Sequence, residues 1–383
     1  MSNNSLSNTT SLLTRQQCTA LKGVAIFMIF IHNMVHWFPG DVQENEYMFN
    51  LQNTLDFFYA IFHPSHNWPL QFFSFLGHYG VPLFVFLSAY GLVKKYELSH
   101  RDTPAPSRTK FIISHYFKLL LLIFIGMMTL FFAMLLIPVF DASGDLYPSK
   151  ELILNSHYII PSRWWPWQAS MTINFTDDDV SRLLLGPYWY FGFVLQLYII
   201  YRLFLFTRDH GSAHARYAPV AFAALCWVVM VAAQMIWGDA TLNFLRYNFF
   251  IGGLPFALGL LAARYEARLP LLSTRYWALI LAVAAIAVPV MNLNFHLWLW
   301  APIAVVAAGI ALVKVAPRAL MAAMTWMGGI SMMLFVLHPI TRMVFYNINQ
   351  TVHPYTLTAI YIAISLPLAA LYTRLYNKLI ATK

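Results

Sequence analysis

Along the chain, apolar residues gather in long runs divided by short polar stretches. Ten runs stand out, at roughly 20–39, 70–93, 111–139, 187–206, 217–237, 245–263, 276–292, 297–314, 329–347 and 356–373. A hydrocarbon core about 30 Å thick takes roughly 20 apolar residues to cross as a helix. The pattern therefore predicts an all-α polytopic integral membrane protein with about ten transmembrane helices. The eighth run is the weakest, because only the turn NLNFH separates it from the seventh.

The polar remainder sets the orientation. With ten crossings and the N-terminus inside, 19 of the 24 Lys and Arg fall on the N-terminal side. The other five are Lys150, Arg163, Arg182, Arg246 and Arg342. Acidic residues divide the opposite way, 11 of 15 outside, with Asp177, Asp178 and Asp179 among them. Lys and Arg beside span ends mark the cytoplasmic side, so the expected topology is N-in/C-in. Two outward stretches, 40–69 and 140–186, are too long for simple turns. They carry Asn45, Asn155 and Asn174, together with Trp68 and a WWPW cluster (Trp164, Trp165, Trp167) that reads first as an interfacial anchor. The inward stretch 94–110, KKYELSHRDTPAPSRTK, is basic and broken by two prolines. Residues 1–18 are polar without an apolar core, which predicts a cytoplasmic tail and no cleavable signal peptide. A single transmembrane domain over 19–375 and a short cytoplasmic tail over 376–383 complete the expected organisation.

Composition narrows the class further. Of 383 residues, 60% are hydrophobic and only 10% are charged. Soluble domains average about 25% charged residues, so a soluble enzyme or a disordered protein is excluded. The net charge of +9 flanks the apolar runs and calls for the lipid bilayer, with no nucleic acid as partner. Cys18 and Cys226 stand apart without a CxxC or a His-rich companion, which excludes a cysteine-based metal framework, and no metal site is expected.

Ionisable groups inside a bilayer are costly and mark function by default. The runs hold His32, His36, His78 and His338, with Lys22, Lys118, Arg246 and Arg342 near helix ends, and no Asp or Glu. That counts against a carboxylate-driven transporter, and buried imidazoles read more naturally as general bases. At about 100° per residue, Lys22, Asn33, His36 and His32 fall within an arc of about 100°, with Lys22 about 15 Å below His32. His338 and Arg342 share one helix side, with Pro339 loosening the backbone beside the histidine. His115 and Lys118 lie three apart on another helix. Gly80, Pro82, Ser88 and Gly91 are expected to thin the second span and let neighbours approach.

Five segments in order resemble the membrane-bound acyltransferase 3 family. They are LKGVAIFMIFIH, GVPLFVFLSAYGL, the pair His115 and Lys118, PYWYFGFVLQLYIIY and GISMMLFVLHPI, and together they cover roughly residues 18–375. This sequence departs from the family pattern in three places. The family's Arg with a His after ten intervening residues is here Lys22, with Asn33 at that spacing and His32 one residue early. Ala89 stands for the usual Gly, and Arg-x-x-Arg has become His115-x-x-Lys118.

The resemblance implies O-acylation of envelope or exported sugars in the cell (inner or plasma) membrane. Acyl-CoA, acetyl-CoA above all, would be a cytoplasmic co-substrate rather than a resident cofactor. A sugar or polysaccharide hydroxyl would be the acceptor, and a separate periplasmic partner could complete transfer. The polyanionic CoA would need cations at the inner face, and Lys22, Arg108, His115 and Lys118, with Lys94 and Lys95, are the candidates. His32 is the expected base, His36 its rival, and His338 a further catalytic candidate. Asn33, Arg342, Arg246 and Ser88 are the candidates for positioning the acyl group and acceptor. A Ser-His-Asp set is not expected, since no acid lies near these histidines in the span. The competing readings are a transporter or flippase of a sugar or lipid-linked intermediate, and a non-enzymatic scaffold.

Overall fold

Thr14 opens the first helix, α1 (Arg15–Val35), with a reciprocal capping box to Gln17. The computed structural model describes residues 11–36, 38, 42–46, 48–98, 104–136, 139–140, 146–147, 165–176, 185–345 and 352–381. Lys150, Asn155, Arg163, Trp164, Asp177, Asp178, Asp179 and Arg182 lie outside them, as do most of the N-terminal tail and the last two residues.

After α1 come α2 (Leu51–Phe62), α3 (Trp68–Leu76) and, past a tight turn at Gly77–Tyr79, α4 (Gly80–Leu92). A π-helical turn, Val93–Leu98, extends α4. The chain continues through α5 (Arg108–Leu136), α6 (Trp165–Ser170), α7 (Trp189–Ile200), α8 (Ala213–Trp237), α9 (Asp239–Arg246) and α10 (Phe249–Tyr265). It ends with α11 (Thr274–Met291), α12 (Phe295–Trp298), α13 (Ala301–Val315), α14 (Arg318–Phe345) and α15 (Pro354–Ala381). The described extended structure is one two-residue antiparallel pair, Val139–Phe140 with Leu146–Tyr147.

Among the described residues, nine helical stretches are long and apolar enough to cross a membrane. The protein is an all-α polytopic membrane protein. The eighth expected span is the exception: α13 has 15 residues, about 22 Å of helix, and packs along α11. The outward stretch 40–69 is also more ordered than a loop, since α2 occupies its middle.

Helix α1 is buried on nearly every side, which its all-round apolar sequence anticipates. Leu21 and Ala25 join a core built with α4, α7, α10 and α13. Ile26, Phe30 and Val35 join a second core built with α5, α14 and α15. Two glycines bring α1 and α14 together. A Cβ on Gly328 would sit 1.8 Å from the Thr19 carbonyl oxygen, and one on Gly23 would sit 1.9 Å from that of Met324. In lipid no hydrophobic force draws helices together, so such close backbone approach is what holds them. Contacts from Gly23–Met324 at one end to Asn33–Arg342 at the other run forward along both chains, so the two helices are parallel. Gly80 meets the expectation of close approach, its Cβ position lying 2.3 Å from the Ala25 carbonyl oxygen. Gly91 does not: nothing approaches within 4 Å of its Cβ position.

The helical extensions carry acids that the apolar runs lack. Glu97 is fully buried and takes the Arg264 guanidinium on both oxygens, at 2.8 and 2.9 Å, with His210 Nε2 at 2.9 Å. Removing one partner of such a pair leaves an uncompensated buried charge, so the set acts as a lock between α4, α10 and the segment before α8.

Gly328→Val is expected to cost about 3 kcal/mol or more by forcing α14 off α1. Gly329→Val, whose Cβ meets nothing within 4 Å, should leave the melting temperature in detergent unchanged. Size-exclusion profiles and thermal unfolding of the two variants check this.

Candidate functional site

At the far end of α1, His32 is 2% exposed. Gly77 lets it lie there, since a Cβ on that residue would fall 2.3 Å from the His32 Cβ. The His32 Nδ1 lies 2.9 Å from the Ser74 carbonyl oxygen. A carbonyl only accepts, so Nδ1 carries the hydrogen, and Nε2 is the nitrogen that gains or gives up a proton, bearing the lone pair when the ring is neutral. That atom faces Glu46 Oε2 at 3.5 Å, an ion-pair distance without hydrogen-bond alignment. The other carboxylate oxygen of Glu46 receives Arg246 Nη2 at 3.1 Å.

The segment that brings Glu46 here is pinned from both sides. Ser74 Oγ donates to the Val42 carbonyl at 2.7 Å, so one residue orients both the histidine and the strap. Asn45, fully buried, donates to Thr54 Oγ1 and to Asn292 Oδ1 and accepts from the Asn50 backbone. Burial alone would push the Glu46 carboxyl up. The Arg246 guanidinium and the His32 ring outweigh it and hold that carboxyl well below the usual carboxylate range. Burial pushes the neighbouring Glu44 carboxyl up. The expectation that no acid lies near these histidines is therefore corrected. The apolar runs hold none, yet the stretch after α1 folds back and delivers one. The sequence signal was DVQENE directly after the histidine helix, within a stretch too long for a turn.

Around this cluster stand two more imidazoles. His36 stacks on His32 with ring centroids 4.6 Å apart and its Nδ1 2.7 Å from the His32 carbonyl oxygen. His78 lies edge-on to His32 at 5.9 Å, and neither of its ring nitrogens has a hydrogen-bond partner. A small cavity of about 40 Å³ opens beside them, lined by Asn45, His78, Trp189, Arg246 and Trp298 among others. Arg342 Nη1 donates to the Asn33 carbonyl at 3.0 Å and to its Oδ1 at 3.3 Å, joining two expected positioning residues across α1 and α14. His338 lies elsewhere. It packs against Phe30 and Phe335, and its Nδ1 lies 3.0 Å from the Leu334 carbonyl oxygen. Phe30 is about 200° round α1 from His32, so the two histidines occupy different sides of that helix.

The opposite end of α1 borders a larger cavity of about 230 Å³. Lys22, Lys95 and His115 line it with Ser88, Tyr96 and Tyr198, and Phe84 and Leu87 complete its wall. Gly91 belongs to that wall too, which explains the open space at its Cβ position. Lys22, His115 and Ser88, three separated candidates in the sequence, thus meet at one place. Lys118 and Arg108 are exposed on α5 and are not among its lining residues. Lys94 is engaged instead with Glu266, which also accepts from Tyr90.

His32, Glu44 and Glu46 are also the trio among the described residues that a metal ion could bridge, one donor atom of each lying within 4.8 Å of the others. Taken together, a base with a free lone pair, a carboxylate facing it and a cation behind that carboxylate can accept a proton and stabilise the imidazolium formed. Residues 17–374 match the family described as "Acyltransferase domain". No curated protein and no solved structure matches the chain.

Arg246→Met should destabilise the protein by about 3–5 kcal/mol, because it strands a buried carboxylate. The double variant Glu46→Gln/Arg246→Met should melt at a higher temperature than Arg246→Met alone. Equal melting temperatures would show that the two residues do not act as a pair.

Proposed function

Because the chain belongs to acyltransferase family 3, with the match spanning nearly all of it, we propose that it carries an acyl group from cytoplasmic acyl-CoA to a sugar hydroxyl. Acetyl-CoA is the proposed donor, a co-substrate and not a bound cofactor. The acceptor is an envelope or exported polysaccharide met at the other side of the inner or plasma membrane. In this reading the short α13 crosses as a tenth span, the termini are cytoplasmic, and the Lys22 end of α1 faces the cytoplasm.

The observation that carries the reading is the placement of two different chemistries on one helix. The cavity at one end has two ammonium groups and an imidazole, which suit the phosphates of CoA. About 15 Å along α1, a length of the order of an extended pantetheine arm, stands His32 with its bare Nε2. The acceptor oxygen attacks the thioester carbonyl while Nε2 takes the hydroxyl proton, a contribution of about 10²–10⁴-fold. Glu46 offsets the charge of the imidazolium. The tetrahedral intermediate then collapses, the C–S bond breaks, and the CoA thiolate recovers the proton from His32. His36, stacked on His32, is the rival base, and Asn33 with Arg342 would position the reacting groups from the α14 side. The small cavity beside His78, Trp189 and Trp298 is where an acceptor hydroxyl would approach. A separate periplasmic partner would complete transfer where the polymer is assembled beyond this protein.

His32→Gln should lower transfer of radiolabelled acetyl from acetyl-CoA to surface polysaccharide at least 100-fold in membrane vesicles, with the protein still inserted and folded. Unchanged labelling would refute the role of His32. Gly91→Leu should fill the Lys22 cavity without touching the fold and raise KM for acetyl-CoA at least tenfold. An unaltered KM would place donor binding elsewhere.

A further inference from the structure

Three hydrogen-bond acceptors converge on one buried point beside α1. The His32 Nδ1–H is committed to the Ser74 carbonyl, which leaves Nε2, an atom without a hydrogen-bond partner, to take a proton or a metal ion. Glu46 Oε2 stands 3.5 Å from it. Glu44 adds a third group, whose buried Oε2 also has no hydrogen bond. Lone pairs brought this close repel one another unless a proton or a metal cation lies between them, and the two compete for the same position. Arg246 meets Glu46 through the other oxygen, at 3.1 Å, so Oε2 stays turned toward the imidazole.

This is how a metal ligand set is built. A ligating imidazole usually gives its second N–H to a carbonyl or carboxylate, and a ligating carboxylate is itself held by a hydrogen-bond partner. Ser74 does the first for His32 and Arg246 does the second for Glu46. Tetrahedral zinc with bonds of about 2.0–2.2 Å spaces its ligand atoms about 3.4 Å apart. The His32–Glu46 separation of 3.5 Å is that spacing, and a donor atom of Glu44 lies within 4.8 Å of both. An imidazole beside carboxylates favours zinc over magnesium or calcium, which take all-oxygen shells.

We propose that His32, Glu44 and Glu46 form a binding site for a divalent transition cation, with zinc its best fit, and that an occupied site blocks acyl transfer. The blocking half rests on the proposed role of His32, since one lone pair cannot hold both the metal and the proton of the acceptor. Binding involves no redox change: the cation trades coordinated water for the three protein ligands.

The test uses tag-free, full-length protein in detergent, stripped with chelator and titrated with zinc chloride by calorimetry. Wild type should bind one zinc per chain, and Glu44→Gln should bind it at least tenfold more weakly while eluting and melting like wild type. His32→Gln should lose the site as well. Zinc at a saturating concentration should cut acetyl transfer at least tenfold in wild type, reversibly with EDTA. Glu44→Gln should keep the metal-free rate and escape inhibition at that concentration. Absence of stoichiometric binding in wild type, or equal affinity in Glu44→Gln, would overturn the site. Binding without inhibition, or stimulation by zinc, would overturn the blocking role. Should metal-free wild type transfer no acetyl at all, the acyl-transfer reading falls while the calorimetry still decides the site.

Discussion

Burying a charge away from water costs several kcal/mol unless a partner of opposite sign is buried with it. That constraint organises both ends of this molecule. At one end Arg246 is buried where α9 meets α10, and Glu46 meets it from the segment after α1. At the other, Arg264 and His210 hold the fully buried Glu97 at the end of α4. The first pairing fastens a strap across the bundle and sets a carboxylate in front of His32. The second ties α4 to α10, so the cavity wall formed by Ser88, Gly91 and Lys95 stays in register with α1.

Between these ends α1 works as the axis. Its backbone lies against α14 at Gly23 and Gly328 and its histidine against Gly77, so neither neighbour can slide without a clash. A rigid helix carries Lys22 at a polar cavity and His32 at a buried acid–base cluster, and so fixes the length between the two. The proposed reaction, with its two substrates on opposite faces of the membrane, uses that separation.

Much of the fold was legible in the sequence because lipid imposes long apolar runs, and nine of the ten runs became crossing-length helices. The eighth was ambiguous for a physical reason: α13 is short, follows the four-residue α12, and is supported by α11 rather than by its own length. The Lys22 cavity was partly legible, since Lys22, Ser88 and His115 were each suspect for charge, motif or spacing. Their meeting depends on how α1, α4 and α5 pack, which periodicity does not encode. Glu46 was hidden. It lies outside every apolar run, and only the hydrogen bonds of Ser74 and Asn45 show that its segment turns inward. His338 was legible as a histidine on a proline-broken helix, and its place among Phe30 and Phe335, on another side of α1 from His32, comes from packing alone.

The most direct test is a structure of the protein with acetyl-CoA bound, determined in a lipid nanodisc. The expected result is CoA phosphates beside Lys22 and Lys95, the arm running along α1, and a thioester carbon within reach of a hydroxyl held about 3 Å from His32 Nε2. Density for CoA on any other surface, or a thioester that stops short of the histidine cluster, would contradict it.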